Sequence, residues 1–310
     1  MRVTVLGSAA GGGFPQWNCA CPNCSRLRAG TLHSQARSQA QALVCPDDGG
    51  CYLLNASPDL RAQILSTALL NPQHPPRHTP IVGVILTSAD VDSVVGLLHL
   101  REFQPLQIYA APSIRRILLE DNHIFRVLDR ANPPAVWHDL LMNTWFSLRT
   151  AESSSEESAV RCLMAPLGGA YPDYVSDDLR RTLPPGEAVT GLVLAQGGKQ
   201  IFYAPTLPAC SDGWKDWARS SDLCLLDGTF WNEDELISAG VGSKTATEIG
   251  HVPLTVAGGL LAQRDFAKRG RRVLIHINNT NPILDEESPE CREVRDAGWE
   301  IAYDGMTIEV

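Results

Sequence analysis

Three cysteines near the start of the chain constrain its fold more than any other feature of the sequence. Cys19, Cys21 and Cys24 follow the glycine-rich turn Gly11–Gly13 and form a C-x-C-x-x-C pattern. Three sulfur ligands at this spacing suit a tetrahedral zinc ion, which needs one more ligand, histidine or cysteine, from elsewhere in the chain. The alternatives are three unrelated buried thiols, which are common in protein cores, and a disulfide, for which Cys19 and Cys21 are too close.

Composition and charge limit the classes of function. The chain has 310 residues, enough for one large domain or two ordinary ones, and 44% of them are hydrophobic. The formal net charge of −9 disfavours nucleic acid and anionic membranes as partners, because binding to both relies on Lys and Arg. No run approaches the ~20 apolar residues of a membrane span, and the first apolar run is short for a signal peptide. We therefore expect no membrane insertion.

The nine cysteines favour a reducing compartment. Their number is odd and their spacing shows no disulfide framework, which is typical of cytoplasmic proteins, so we expect a cytoplasmic location. Outside the C-x-C-x-x-C pattern we expect ordinary thiols at the remaining positions: Cys45, Cys51, Cys162, Cys210, Cys224 and Cys291.

Polar residues follow several predicted strands at the points where these strands end. Functional residues of α/β proteins gather at the carboxyl ends of strands. An aspartate in this position is often only a helix cap, and a lone histidine is usually a hydrogen-bonded core residue. Their recurrence at equivalent places nevertheless predicts a second metal or acid–base site. The residues concerned are Asp90, Asp92, Asp227, His251 and His276.

Longer blocks of the sequence resemble the pyrroloquinoline quinone (PQQ) biosynthesis protein B family of the metallo-β-lactamase superfamily. These blocks cover nearly the whole chain: Val5–Cys19, Asn55–Asp59, Leu225–Thr229, Gly250–His251, Ile275–Asp285 and Asp304–Met306. The resemblance implies an α/β fold of the metallo-β-lactamase-like αββα sandwich type, with two facing mixed β-sheets and outer helices. It also implies a single domain over residues 1–310.

The same resemblance implies a role in making PQQ, a redox cofactor cut from a cross-linked Glu–Tyr precursor. Family members are similar to iron-dependent hydroxylases that add oxygen to the tyrosine ring, and the alternative is a carrier of PQQ or its precursor toward the periplasm. The expected partners are thus a small-molecule PQQ precursor or PQQ, and other PQQ-biosynthesis proteins. The oligomeric state, a homodimer included, stays open at this point.

The metal-binding motif of the superfamily, H-x-H-x-D-H, aligns with a segment that has lost its histidines. Ser88, Asp90 and Ser93 stand at the three histidine positions, and Asp92 keeps the acid. The segment disfavours a dinuclear zinc hydrolase, which needs several nitrogen ligands to generate hydroxide. Two histidines and a carboxylate elsewhere could still form a facial triad for Fe²⁺, with open positions for O₂ and substrate.

The sequence hypothesis therefore contains two metal sites. The residues expected around a catalytic Fe²⁺ are Asp90, Asp92, Asp227 and His251. The residues expected around a structural Zn²⁺ are Cys19, Cys21, Cys24 and His276. A histidine near the final strand-end loop completes the zinc site of related proteins, which favours His276 there, although His276 is also a candidate for the iron.

Overall fold

The computed structural model of the chain consists of two compact units. It describes residues 1–47, 49–74, 76–102, 104–148, 160–209, 213–263 and 270–310. The first unit comprises Met1–Leu6, Gln41–Lys199 and Gly305–Val310, and the second comprises Gly7–Ala40 and Gln200–Asp304. A single domain over residues 1–310 stays a prediction.

Short strands and helices alternate along the described residues. The strands are β1 (Arg2–Gly7), β2 (Gln41–Cys45), β3 (Cys51–Leu54), β4 (Ile81–Ile85), β5 (Gln107–Ala110), β6 (Val136–Asp139), β7 (Trp145–Ser147), β8 (Arg161–Gly168), β9 (Val189–Gln196), β10 (Lys199–Ala204), β11 (Leu223–Asp227), β12 (Arg271–Ile275), β13 (Glu300–Ile301) and β14 (Thr307–Glu309). The α-helices are α1 (Pro22–Arg28), α2 (Leu60–Ser66), α3 (Val91–Val94), α4 (Pro112–Arg116), α5 (Asp177–Arg180), α6 (Gly213–Ser220), α7 (Glu235–Ser238) and α8 (Pro289–Asp296). Short 3-10 helices occupy Ala68–Leu70, Val95–Leu100, His123–Val127, Pro185–Glu187, Thr247–Ile249, Leu260–Ala262 and Pro282–Leu284, and a π-helical turn occupies Ile117–Asp121.

The strands form two mixed sheets. The first is a 7-stranded sheet with the order β14-β1-β2-β3-β4-β5-β6. Its β1–β14 and β2–β3 pairs are antiparallel, with Val3 opposite Ile308 and Leu43 opposite Leu53. The pairs from β3 to β6 are parallel. The strand β4 is apolar throughout and almost wholly buried, as expected for a parallel strand that is covered on both faces.

The second is also a 7-stranded sheet, with the order β13-β12-β11-β10-β9-β8-β7. In the first unit, β8 pairs antiparallel with both β7 and β9. In the second unit, β10, β11, β12 and β13 run parallel, with Leu226 opposite Leu274 and Asp227 opposite Ile275. Because parallel strands end on the same edge of a sheet, the residues that follow β11 and β12 come close together.

The first unit contains a disulfide between Cys45 and Cys51, so the prediction of ordinary thiols at these positions is wrong. Val44 of β2 lies opposite Tyr52 of β3, and the next pair toward the turn is therefore Cys45 with Cys51, at a Cα separation of 4.3 Å. A search for a chain-wide disulfide framework overlooks such a local cross-strand pair. The other expected thiols are confirmed as buried free cysteines at Cys162, Cys224 and Cys291, and Cys210 lies outside the described residues.

Two backbone segments of the first unit meet closely at Gly96. Its N–H donates to the carbonyl of Ala56 at 2.8 Å, and Ala56 in turn donates to the carbonyl of Ser93 at 2.7 Å. A Cβ atom at Gly96 would lie 2.2 Å from the carbonyl oxygen of Ser57. These contacts join the loop after β3 to the segment after β4, which carries Asp90 and Asp92.

We expect Gly96→Ala to destabilise the protein by about 2 kcal/mol or more, because backbone atoms would have to separate to admit the methyl group. The matched control is Gly186→Ala, where the added Cβ would meet only Pro166 Cβ at 4.0 Å. Urea denaturation of the two variants measures the difference in the free energy of unfolding. Equal free energies of unfolding would show that the backbone around Gly96 admits a methyl group without a loss of stability.

Candidate metal centres

The carboxyl ends of β11 and β12 bring Asp227 and His276 together in the second unit. Asp227 is the last residue of β11, and His276 follows directly after β12. The backbone of His276 has a positive φ of 61°, a left-handed conformation that few residues other than glycine adopt. Strained backbone of this kind tends to occur at functional sites, where neighbouring contacts hold it.

Asp227 has no exposed surface and accepts four hydrogen bonds. Its Oδ2 accepts from the backbone N–H of Leu207 at 2.7 Å and from Nδ1 of His251 at 2.7 Å. Its Oδ1 accepts from the backbone N–H of Thr229 at 3.0 Å and from the Thr229 hydroxyl at 2.6 Å. Burial alone would raise the pKa of Asp227, but His251, His276 and Thr229 outweigh it and hold that pKa below its ordinary value. Asp227 is therefore an ionised carboxylate at neutral pH.

The hydroxyl of Thr229 connects the carboxylate to both histidines. Thr229 Oγ1 lies 3.1 Å from Nδ1 of His251 and 2.9 Å from Nδ1 of His276. The two imidazole rings are stacked, with centroids 5.2 Å apart and planes inclined by 18°. Each ring presents Nδ1 to an oxygen, which favours the tautomer with the proton on Nδ1 and the lone pair on Nε2. A neutral imidazole of this kind is the form that binds metal ions.

The three side chains fit a divalent metal ion. One ligand atom each from Asp227, His251 and His276 can be chosen so that all lie within 4.8 Å of one another. Two neutral imidazoles and one ionised carboxylate are the donor set of non-haem Fe²⁺ sites. The sequence prediction that Asp227 and His251 belong together agrees with this geometry, while their role as ligands stays a prediction.

The predicted site residues Asp90 and Asp92 belong to the first unit. Asp90 precedes α3 as its N-cap residue, and Asp92 lies in the first turn of that helix. The Ser88 hydroxyl donates to Oδ2 of Asp90 at 2.7 Å and lies 3.3 Å from the Ser93 hydroxyl. Three of the four residues at the conserved positions of the superfamily motif thus form one hydrogen-bonded group. The catalytic and metal-binding roles of Asp90 and Asp92 stay predictions.

The three thiols of the C-x-C-x-x-C pattern lie together and are buried. Their sulfur atoms are within 4.8 Å of one another. Pro22 opens α1, so Cys21 precedes the helix and Cys24 lies in its first turn, which turns both thiols toward the same side. Burial raises the pKa of Cys24 to about 11. A metal ion would have to displace protons here, so its affinity should rise with pH.

The residue that faces the three thiols is Asn279. Its Nδ2 lies 3.2 Å from the sulfur of Cys19 and 3.4 Å from those of Cys21 and Cys24. We expected His276 in this position, but His276 does not join the thiols in a group of ligand atoms within 4.8 Å. The physical reason is the left-handed turn after β12, which directs His276 to Thr229 and brings the residue three positions later to the sulfur atoms.

A cavity of about 400 Å³ adjoins the thiols in the second unit. Cys19 and Asn279 contribute to its wall, and the remaining lining residues are mainly amides and small or apolar side chains: Gln16, Asn18, Ala20, Leu236, Gly240, Val241 and Asn278. Cys19 thus borders this cavity although the residue is only 8% exposed.

Glu235, the first residue of α7, is a buried carboxyl that the sequence analysis missed. It is 8% exposed, and its Oε2 accepts from the backbone N–H of Trp231 at 2.6 Å. Its Oε1 accepts from the hydroxyl of Thr280, in the segment after β12. Burial raises the pKa of Glu235 to about 7, although these hydrogen bonds oppose the rise. No sequence signal marks Glu235, because acidic residues are ordinary in the first turn of a helix.

Comparisons with known proteins identify relatives over the whole chain. Residues 51–277 match a family model described as a β-lactamase superfamily domain. Coenzyme PQQ synthesis protein B of Gluconacetobacter diazotrophicus is 41% identical over 309 residues, which are 99% of this chain and 98% of that protein. The protein of the same name from Azotobacter vinelandii is 40% identical over 311 residues and is matched over 100% of both chains.

Solved structures agree with these relatives. The 1.98 Å crystal structure of Zn²⁺-bound PqqB from Methylobacterium extorquens is 37% identical and has a TM-score of 0.88, with 100% of both chains covered. A diphosphatase of the PhnP family is 18% identical, with a TM-score of 0.64 over 100% of this chain and 97% of that chain, and shows the fold alone. The metallo-β-lactamase-like fold predicted from the sequence is thus confirmed. Within the described ranges, no helix has both the length and the apolar character needed to cross a membrane.

We expect Thr229→Val to weaken the binding of a divalent metal at Asp227, His251 and His276 by roughly 10–100-fold, because the hydroxyl that orients all three side chains is lost. Thr229→Ser keeps the hydroxyl and should bind nearly as well as the unchanged protein. Competition with a chromophoric chelator measures the affinities. Equal affinities of the valine and serine variants would contradict the orienting role of Thr229.

We expect Glu235 to make the stability of the protein depend on pH. Its pKa of about 7 in the folded protein exceeds the ordinary value of 4.5, so the folded state holds this proton more tightly than the unfolded chain. The contribution of this proton to the free energy of unfolding is fully present below the ordinary pKa of Glu235. It is lost as the pH rises through about 7, a change of about 3 kcal/mol. Urea denaturation at about pH 5 and about pH 8 should show a smaller pH effect in Glu235→Gln. The exposed Glu248 supplies the control variant Glu248→Gln, and an unchanged pH profile in Glu235→Gln would refute the assignment.

Proposed function

The chain belongs to the coenzyme PQQ synthesis protein B family, and on that premise we propose that it is a metal-dependent hydroxylase of PQQ biosynthesis. The substrate class is the tyrosine ring of the Glu–Tyr-derived precursor. The relatives named for PQQ synthesis match this chain over essentially their whole length, which supports a role in the same biosynthesis. The single observation that carries the hydroxylase proposal is the grouping of Asp227, His251 and His276.

The proposed ligands of the catalytic ion are His251, His276 and Asp227. When bound there, Fe²⁺ would supply the activation of O₂ that hydroxylation of an aromatic ring requires, and two histidines with one carboxylate leave positions for O₂ and substrate. The proposed ligands of a second ion, Zn²⁺, include Cys19, Cys21 and Cys24. The Zn²⁺-bound structure of the Methylobacterium extorquens relative supports zinc binding by this chain.

The residues around the proposed iron site act by holding the ligands in one arrangement. The carboxylate of Asp227 and Nδ1 of His251 are 2.7 Å apart and share a proton, and an ion held by both side chains would take the place of that proton. Phe230 packs edge-on against the His251 ring, with centroids 5.9 Å apart, and limits rotation of the imidazole. The side chain of His251 retains 12% exposure, so a small molecule can approach the imidazole, whereas Asp227 is sealed from water.

The sequence favours this proposal over the hydrolysis that is common in the superfamily. Ser88, Asp90 and Ser93 offer oxygen atoms where the motif has imidazoles. Fewer nitrogen ligands disfavour a dinuclear zinc centre that generates hydroxide. The diphosphatase of the PhnP family is only 18% identical to this chain, which shows a common fold and not a common activity.

The test is oxygen uptake by protein that has been reconstituted with Fe²⁺ without air and then mixed with the tyrosine-containing precursor, O₂ and a two-electron reductant such as ascorbate. The reductant supplies the electrons that convert the second oxygen atom to water. We expect uptake together with a product heavier by one oxygen atom, and a loss of about 100-fold or more in His251→Ala, because a metal ligand is removed. The exposed His99 supplies the control variant His99→Ala, which should retain the activity of the unchanged protein.

Two results would overturn the hydroxylase proposal. Tight binding of PQQ or its precursor without oxygen uptake would favour the carrier function instead. Oxygen uptake that is equal in His251→Ala and in the unchanged protein would place the chemistry away from the proposed iron site.

A further inference from the structure

We propose that Glu235 is a positioning residue of the proposed iron site, and that its buried carboxylate ties together the chain segments that carry Asp227, His251 and His276. This role rests on the proposed iron site and goes beyond it. Glu235 is not one of the three proposed ligands, and it acts through the backbone that follows them.

The carboxylate of Glu235 joins the segment after β11 to the segment after β12. Its Oε2 accepts from the backbone N–H of Trp231 at 2.6 Å, and the backbone N–H of Asn232 donates to the same carboxylate. Its Oε1 accepts from the hydroxyl of Thr280. The first two bonds are local and ordinary at the start of a helix, whereas the bond to Thr280 spans 45 residues of sequence. One side chain therefore sets the spacing of the two segments.

The segment that carries His251 is tied to the same place. The carbonyl of Trp231 accepts from the hydroxyl of Thr255 at 2.8 Å, and the carbonyl of Phe230 accepts from the backbone N–H of Leu254 at 2.9 Å. Thr255 and Leu254 follow His251 by four and three residues. The N–H of Trp231 is thus held by the carboxylate and its C=O by the His251 segment, so all three ligand-bearing segments meet there.

A second contact fixes the direction of the bond from Thr280. The side-chain amide of Asn278 donates to Oγ1 of Thr280 at 2.5 Å, which leaves the hydroxyl hydrogen to point at Glu235. The backbone N–H of Asn278 donates to the carbonyl of Thr229 at 3.1 Å. The hydroxyl of Thr229 contacts both proposed histidine ligands. A short chain of hydrogen bonds therefore leads from Glu235 to the side chains of the site.

An ionised side chain is a poor choice at this position if stability alone is considered. A carboxylate loses its hydration when it is buried, and an uncharged side chain of the same shape avoids that loss. The donors around Glu235 do not recover the loss fully, since its pKa remains raised to about 7. What the carboxylate supplies is two acceptor oxygens at a fixed separation, one for each segment. Glu235 thus contributes more to position than to stability.

The experiment measures the affinity for Mn²⁺ by titration, with the EPR signal of the free ion as the readout. Mn²⁺ suits carboxylate ligands, whereas thiolates select softer ions, so the cysteine cluster does not compete for this probe. A pH of about 8 lies above the Glu235 pKa of about 7 and keeps the carboxylate ionised. Far-UV circular dichroism and urea denaturation of each variant report separately on folding.

We expect Thr280→Val to bind Mn²⁺ about 10-fold more weakly, because the link between the two segments is lost, and Thr280→Ser to bind nearly as well as the unchanged protein. Glu235→Asp is one methylene shorter and should lose one of the two segments, with a similar loss of affinity. The exposed Glu293 supplies the matched control Glu293→Asp, which should bind as the unchanged protein does. If Thr280→Val does not fold, the comparison of the two Glu→Asp variants decides alone.

A double-mutant cycle tests whether Glu235 and Thr280 act as one unit. Either substitution breaks the link, so the variant with both Glu235→Asp and Thr280→Val should lose about 10-fold, as each single variant does, and not about 100-fold. Losses that multiply in the double variant would contradict the link.

The remaining outcomes separate this role from the site on which it rests. A lower free energy of unfolding with unchanged Mn²⁺ affinity in Glu235→Asp and Thr280→Val would show a merely structural residue and overturn the proposal, while the proposed iron site stands. Absence of Mn²⁺ binding by the unchanged protein, or binding that His251→Ala leaves intact, would overturn the proposed iron site and this role with it.

Discussion

The segment His276–Asn281 after β12 is the constraint on which both candidate metal centres depend. The side-chain amide of Asn281 donates to the carbonyl of Gly228 at 3.0 Å and to that of Thr229 at 3.2 Å, and so fixes the segment to the end of β11. His276, the first residue of the segment, then lies close to Asp227, and Asn279, the fourth residue, lies against the cysteine thiols. The parallel register of β11 and β12 thus positions two sets of side chains that are far apart in the sequence.

The two buried carboxyl groups of the second unit show why burial alone does not decide a charge state. Burial opposes ionisation of both Asp227 and Glu235, yet the pKa is lowered for the first and raised to about 7 for the second. At Asp227 two imidazoles and several hydrogen-bond donors lower the pKa against the effect of burial. At Glu235 only hydrogen bonds act against that effect. The two imidazoles beside Asp227, for which Glu235 has no counterpart among its causes, make the difference.

Much of the fold and part of the candidate site could be predicted from the sequence. The long family blocks indicated the superfamily, and the predicted strand end indicated Asp227. His251 was also expected after a strand, but it follows the 3-10 helix Thr247–Ile249, so the strand-end argument holds for Asp227 and not for His251. The residue that faces the cysteines, Asn279, could not be predicted, because its place depends on the left-handed backbone of His276, which directs the His276 side chain to Thr229. Glu235 and the cross-strand disulfide were missed because each depends on a neighbour across the fold and not on a spacing along the chain.

The segment His276–Asn281 couples the binding of the two ions. An ion at the thiols would order Asn279 and, through three peptide units, His276. The segment would then have less conformational entropy to lose when the second ion binds, so the two ions would bind with positive cooperativity. Linkage requires this coupling to be reciprocal: whatever zinc contributes to the affinity for iron, iron contributes equally to the retention of zinc.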